Sequence, residues 1–286
     1  MSKFRLYCGI SRDGKWFNQA EVEPLTGGIL SMLDGAEKSG AARLLNLMKG
    51  SVKTLYTEEG DEYQLKPSDY EDFRVMDTWK IGYEAIKLRT GEKYPIIPES
   101  FFCGRCSQPK REQYTDVEES WEKLIEDGMI DEIFLQSDDI TFDVELEEPI
   151  EIPAGKTFPG GTYHVITMQH ISLGDMLRLH RDAEAMSSEA NMIRATWDAA
   201  IIKIKGMSEA DFNRIKRIPG QSFAKKYLGS EANQNAIEKA MDENVVGLDA
   251  WRRVVYCKNC GKELRDGLDY TNFFSPLLPK KSVRNR

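Results

Sequence analysis

The chain of 286 residues carries 39 basic and 47 acidic side chains, a formal net charge of −8, and 41% hydrophobic residues. That apolar content suffices for a core of ordinary size, and the acidic balance argues against a protein that binds nucleic acid through its overall charge. Met1-Ser2-Lys3-Phe4-Arg5 has no apolar leader, and no stretch approaches the roughly 18 uncharged apolar residues of a membrane span, so the expectation is a soluble intracellular protein with no membrane partner.

Phe4 to Ile10 alternates with period two and meets the turn signal Ser11-Arg12-Asp13-Gly14-Lys15 before Trp16-Phe17, which predicts a strand or hairpin. Cys8, in phase with Phe4, Leu6 and Ile10, reads as a small core residue. From Ala41, Leu44, Leu45, Met48, Val52 and Leu55 recur at steps of three and four and predict a core-facing helix. Ser68-Asp69-Tyr70-Glu71 has capping-box spacing and predicts a second helix with the stripe Phe73, Met76, Trp79, Tyr83 and Ile86, ended near Gly91. Pro95 and Pro98 then bring the chain extended into Phe101-Phe102-Cys103.

Asp116-Val117-Glu118-Glu119 has a box-like start and predicts a short helix bearing Val117, Trp121, Leu124 and Ile125, ended by Gly128. Ile140, Phe142, Val144 and Leu146 alternate, Ile150 and Ile152 continue beyond Pro149, and Tyr163 and Val165 alternate beyond Gly160-Gly161, which predicts a small antiparallel sheet. Helical period then takes over. Ser172-Leu173-Gly174-Asp175 opens one helix; a longer one carries Met192, Ile193, Trp197, Ala200, Ile201 and Ile204 and stops at Gly206; Ser208 to Asp211 opens another, with Phe212, Ile215 and Ile218 buried. Two more helical pieces hold Phe223 with Tyr227, and Ala232 through Met241. Val254-Val255-Tyr256 reads as a short strand running into Cys257. Pro279 to Arg286, with Lys280, Lys281, Arg284 and Arg286, reads as a solvated basic tail.

The expected fold is α+β and mainly helical, with a small antiparallel sheet and a four-cysteine zinc ribbon joining distant segments. The expected divisions are an N-terminal α+β region at 1–100, a first knuckle and β-rich region at 101–171, a helical sub-domain at 172–250, and a second knuckle with tail at 251–286.

Cys103-Gly104-Arg105-Cys106 and Cys257-Lys258-Asn259-Cys260 each have the two-residue gap that lets a tight turn aim both sulfurs at one ion. Gly261 after the second pair tolerates the positive φ that closes such a knuckle. The expectation is one structural Zn2+ on Cys103, Cys106, Cys257 and Cys260. The competing readings are four reduced thiols, or a redox pair, which the absence of a strand-to-helix turn at either pair opposes. A four-sulfur shell leaves no open position for water or substrate, so such an ion stabilises and does not catalyse.

His164, His170 and His180 have no recognisable nucleophile partner and read as packing or surface residues. Asp138-Asp139 and Glu147-Glu148 are adjacent acids in strand-rich sequence, whose side chains point to opposite faces and so make no shared acid–base pair. Neither a P-loop nor a Gly-x-Gly-x-x-Gly occurs. The expectation is a non-enzyme.

In this order of features the chain resembles the zinc-ribbon baseplate assembly proteins of contractile-tailed bacteriophages, the hub-type tail assembly chaperones. The resemblance runs from about Glu21 to Pro276. It is carried by Glu21-Val22-Glu23-Pro24-Leu25-Thr26-Gly27, Phe102-Cys103-Gly104-Arg105-Cys106, Pro149-Ile150-Glu151-Ile152-Pro153, Ser172 to Asp175, Ala200-Ile201-Ile202-Lys203-Ile204-Lys205-Gly206, the second knuckle, and Phe273-Phe274-Ser275-Pro276. The first knuckle departs from the family's usual form at Arg105 and Ser107. The resemblance implies a non-enzymatic protein that helps assemble, or sits in, the tail baseplate, with other tail or hub proteins as partners and the host cytoplasm as its location. A second reading, from another class, is a zinc-ribbon protein of transcription or replication that would hold nucleic acid through Arg105, Lys110, Arg111, Lys258 and Lys262, which the acidic total opposes.

Overall fold

The structure, a computed structural model, describes residues 2–24, 40–90, 131–154, 160–216, 222–249, 254–256 and 263–265. Two compact units divide the chain: the first takes Met1–Tyr70, Met76–Phe134 and Val246–Arg286, the second Glu71–Val75 and Leu135–Val245.

In the first unit, β1 (Ser2–Arg12) and β2 (Lys15–Val22) form the expected hairpin. Asp13 and Gly14 both take positive φ, 52° and 75°, the conformation that lets a two-residue turn match strand twist. β3 (Val52–Tyr56) and β4 (Glu62–Gln64) complete an antiparallel sheet in the order β1-β2-β3-β4. Helix α1 (Gly40–Ser51) buries Ala41, Leu44, Leu47 and Met48, as its periodicity requires.

The expected continuation of that helix through Val52 and Leu55 is not what forms. Val52 pairs with Val22 and Leu55 with Ala20. The step of three between these residues is also compatible with a twisted strand buried on both faces, and β-branched Val52 and Thr54 favour extension. Ser51 marks the change: its hydroxyl donates to the Leu47 carbonyl at 2.8 Å, and its own carbonyl accepts from the Glu23 amide at 2.7 Å.

The helix expected from Ser68 starts later. Asp69–Glu71 is one 3₁₀ turn, and α2 spans Val75–Thr90, so Phe73 lies outside the helix. Asp69, not Ser68, holds the turn: its carboxylate accepts from the Lys66 amide at 2.7 Å and the Tyr63 hydroxyl at 3.0 Å. The buried face of α2 is Asp77, Thr78, Ile81, Tyr83 and Ala85. β5 (Asp131–Ile133) pairs antiparallel with β9 (Gly247–Asp249), so the chain leaves for the second unit and returns from it on adjacent strands. β10 (Val254–Tyr256) and β11 (Glu263–Arg265) form a separate two-stranded ladder.

The second unit is built on an antiparallel sheet, β6 (Thr141–Ile152), β7 (Gly161–Gln169) and β8 (Ile201–Ile204), with β7 central. The alternation read from Phe142 onward buries Val144, Leu146, Ile150 and Ile152 on one face of β6. Pro149, which has no amide to donate, falls in the irregular stretch of β6 between Glu145 and Ile150. Helices α3 (Leu173–Arg181), α4 (Glu189–Ala200), α5 (Glu209–Lys216), α6 (Phe223–Tyr227) and α7 (Glu231–Glu243) follow the expected order. The cap of α3 is reciprocal, with the Asp175 amide donating to the Ser172 hydroxyl at 3.1 Å and the Ser172 amide to the Asp175 carboxylate at 2.9 Å.

The long helix expected to run to Ile204 ends at Ala200. Ile201–Ile204 is strand β8, pairing Ile204 with Ile166, and Gly206, at φ 86°, turns the chain after a strand rather than a helix. Three isoleucines in four residues outweigh the helical spacing once β7 offers an open edge. Trp197, Ile201, Ile204, Phe212, Phe223 and Ile237 close the core over the sheet. On α7, Ile237 and Ala240 are buried and Met241 is 36% exposed. The class is therefore α+β, with the strands of the described residues spread over four small antiparallel sheets rather than one.

Candidate functional site

Cys103, Cys106, Cys257 and Cys260 lie outside the described residues, as do Ile218 and the short helix expected between Asp116 and Gly128. The second pair is nonetheless bracketed by described structure. Val254 pairs with Arg265, Val255 with Leu264 and Tyr256 with Glu263. The strand read from Val254-Val255-Tyr256 is thus one arm of an antiparallel hairpin whose connection, residues 257–262, holds Cys257, Cys260 and Gly261. A turn between paired strands is the setting in which two thiolates two residues apart converge on one ion. Four cysteines in two such pairs are a donor set that suits zinc in chemistry and number. Among the described residues, no group of three or more His, Cys, Asp or Glu is placed to hold a metal. Cys8 is buried in β1, 1% exposed, as expected of a core residue.

The histidines are dispersed. His164 is exposed on β7 and His180 half-buried on α3. His170, just beyond β7, is half-buried against the Phe142 ring, centroids 5.6 Å apart. Its amide donates to the Ile140 carbonyl at 3.3 Å, and its carbonyl accepts from Arg74 Nη1 at 2.7 Å. Burial, reinforced by the Arg74 charge, pushes its imidazole down to about 4. It is a packing residue.

Asp138 and Asp139 are exposed. Asp139 closes a local turn by accepting from the Thr141 hydroxyl at 2.7 Å and amide at 3.0 Å, which hold its carboxyl below the usual carboxylate range. The side chains of Glu147 and Glu148 are exposed, and the backbone of Glu148 is used structurally: its amide donates to Asn233 Oδ1 and its carbonyl accepts from Asn233 Nδ2, both at 2.9 Å. Neither acid doublet forms a shared proton site.

Two half-buried polar groupings were not read from the sequence. In the first unit, Glu132 accepts from the Tyr7 hydroxyl at 2.8 Å and from Lys80, whose Nζ lies 5.4 Å from the Tyr7 ring centre. In the second, Asp198 of α4 accepts from the Ala224 amide at 2.6 Å and hydrogen-bonds the Ser222 hydroxyl. Burial raises the Asp198 carboxyl, and burial lowers Lys216 at the end of α5 against the opposing charge of Asp198. Lys216 donates to the Ile201 carbonyl. Asp198 thus bonds groups at the start of α6 and the Lys216 ammonium bonds the carbonyl that opens β8, an arrangement that positions backbone rather than substrate. The only signal in the sequence was an acid directly beside Trp197 in the last turn of α4.

Among the described residues no helix is long and apolar enough to cross a membrane. No protein-family model, no curated protein and no solved structure matches the chain.

Proposed function

We propose that the protein is a non-enzymatic assembly factor or component of the baseplate of a contractile phage tail, acting through contacts with other tail or hub proteins in the host cytoplasm and braced by one structural zinc on Cys103, Cys106, Cys257 and Cys260. The observation that carries the zinc reading is the β10–β11 hairpin, whose paired arms end on either side of the Cys257 to Cys260 knuckle. Zinc in such a shell supplies cross-linking alone. The cysteines would be the ligands, and the 150 residues between the two pairs include almost the whole second unit, so the ion would fasten together segments far apart in sequence. The baseplate reading rests on the order of motifs along the chain.

Deleting the chain from a phage that encodes it tests the biological half. The expected result is a halt in tail assembly before a complete baseplate, restored by the protein supplied in trans. Infectious particles formed at normal yield without it would overturn the reading. Mass spectrometry of purified virions then separates the two roles: stoichiometric recovery identifies a permanent subunit, and absence identifies a transient helper.

A further inference from the structure

Between Asp211 and Glu231 the chain carries five basic residues, Arg214, Lys216, Arg217, Lys225 and Lys226, and no acidic one. In a chain with a formal charge of −8 that run is a local reversal of sign. The described part of that run, with Arg214, Lys216, Lys225 and Lys226, lies on α5 and α6. Helices α5 and α6 are anchored from beneath by Phe212 and Phe223, buried rings 6.0 Å apart and nearly perpendicular at 77°. With Ile215, Ala224 and Leu228 also buried, solvent meets Arg214, Lys225 and Lys226. The basic last turn of α3 extends the patch: the Arg178 guanidinium, 73% exposed, acts electrostatically on Lys216, and Arg181 beyond it is exposed. Among the described residues the acids of these elements are Asp211 and Asp175, which pair with Arg214 and Arg178, and Glu209 in the first turn of α5 and Asp182 after Arg181, both exposed; Asp198 of α4 is held by Ala224 and Ser222.

We propose that the solvent face of α5 and α6, with the basic end of α3, is a sequence-independent binding surface for the phosphate backbone of duplex DNA. Its aromatics point to this partner by their position. Phe212 and Phe223 are in the core and Tyr227 is half-buried under Lys226, so none stands free to stack on single-stranded bases. The large exposed hydrophobics among the described residues, Met186, Ile193 and Met241, lie on other elements, so α5 and α6 present nothing to insert into a bilayer. Cationic side chains without apolar anchors match a regular array of phosphates. The surface uses none of the four cysteines.

Fluorescence anisotropy with the full chain and a labelled duplex of arbitrary sequence, over a range of salt, tests it. The expected result is micromolar binding at low salt that weakens steeply as salt rises. Lys225→Glu with Lys226→Glu is expected to weaken binding by at least about tenfold and to lower the salt slope by about two, one for each phosphate that is no longer neutralised. Lys239→Glu, an exposed reversal on α7, is expected to stay within about twofold, as a general charge effect of that size is screened. Zinc content and melting temperature of the double variant are expected to match the parent; if it melts early, Lys225→Gln with Lys226→Gln replaces it and is expected to lose affinity and slope in the same direction. No binding at low salt, equal loss with Lys239→Glu, an unchanged slope in the double variant, or binding to phosphatidylserine vesicles without binding to DNA would each overturn the proposal.

Discussion

The carboxylate of Asp77 receives the backbone amide of Gly9 at 2.9 Å, and its other oxygen receives that of Cys8 at the same distance. These amides belong to the stretch of β1 where the register against β2 slips, between Arg5 and Ile10. A bulge leaves donors without a strand partner, and here a fully buried helix residue takes them. Gly9 has φ of 71°, and a methyl group on it would lie 2.7 Å from the Phe17 carbonyl and from Trp16 Nε1. Trp16 Nε1 in turn donates to the Cys8 carbonyl at 2.8 Å.

Asp77→Ala is therefore expected to destabilise the first unit by about 3 kcal/mol, because two buried amides lose a charged acceptor together. Asp77→Asn, which keeps one acceptor, should lose about half as much. Gly9→Ala is expected to cost at least about 2 kcal/mol through strain and overlap. Chemical denaturation of each variant checks the order, which should be Asp77→Ala and Gly9→Ala below Asp77→Asn below the parent.

The second unit repeats the device with an amide. Asn233, 2% exposed on α7, offers both a donor and an acceptor to the backbone of Glu148 where β6 slips against β7. Asn233→Ala is expected to lower stability by about 2 kcal/mol. Asn233→Asp, isosteric and still an acceptor, loses the donor and sets a negative charge against the Glu148 carbonyl, so it should be no better than alanine. Thermal melts of the pair check this; an aspartate variant as stable as the parent would contradict the hydrogen-bond assignment.

Acid sensitivity follows from His170. Its folded-state value of about 4 lies below the ordinary 6.5, since burial and Arg74 both disfavour the imidazolium. The unfolded chain therefore binds the proton first, and between about pH 6.5 and 4 the folded state loses stability as pH falls, by up to about 3 kcal/mol for this group. Above pH 6.5 the histidine contributes no slope. His170→Gln, which removes the titration, should flatten the stability profile in that window relative to the parent, as read by urea denaturation at several pH values.

Much of this architecture was legible in the sequence. Asp13-Gly14 named the hairpin turn, Ser172 with Asp175 named a cap that forms in full, and period-two alternation located β6 and β7. The misreadings share a cause. Val52 with Leu55, and Ile201 with Ile204, are spaced by three, and that spacing fits a helix face as well as a short strand buried on both sides. Only the neighbouring strands β2 and β7 decide between them, and a partner strand is not a local property. The helix expected at Ser68 starts at Val75 instead, and Asp69 holds the 3₁₀ turn before it through the Lys66 amide and the Tyr63 hydroxyl.

The polar anchors were less legible still. Asp77, Asn233 and Asp198 are single polar letters inside helices, indistinguishable by pattern from solvated positions, and each acquires its role from backbone groups distant in sequence. The strand before Cys257 was legible: Val254-Val255-Tyr256 named it, and the structure pairs it with Glu263–Arg265.

Metal content tests the central claim most directly. Elemental analysis of protein purified without chelator is predicted to give one zinc per chain, reduced to near zero by Cys257→Ser with Cys260→Ser, and stripping the metal is predicted to lower Tm. Folded protein that carries no metal, with four thiols free to react with a thiol reagent under native conditions, would contradict it.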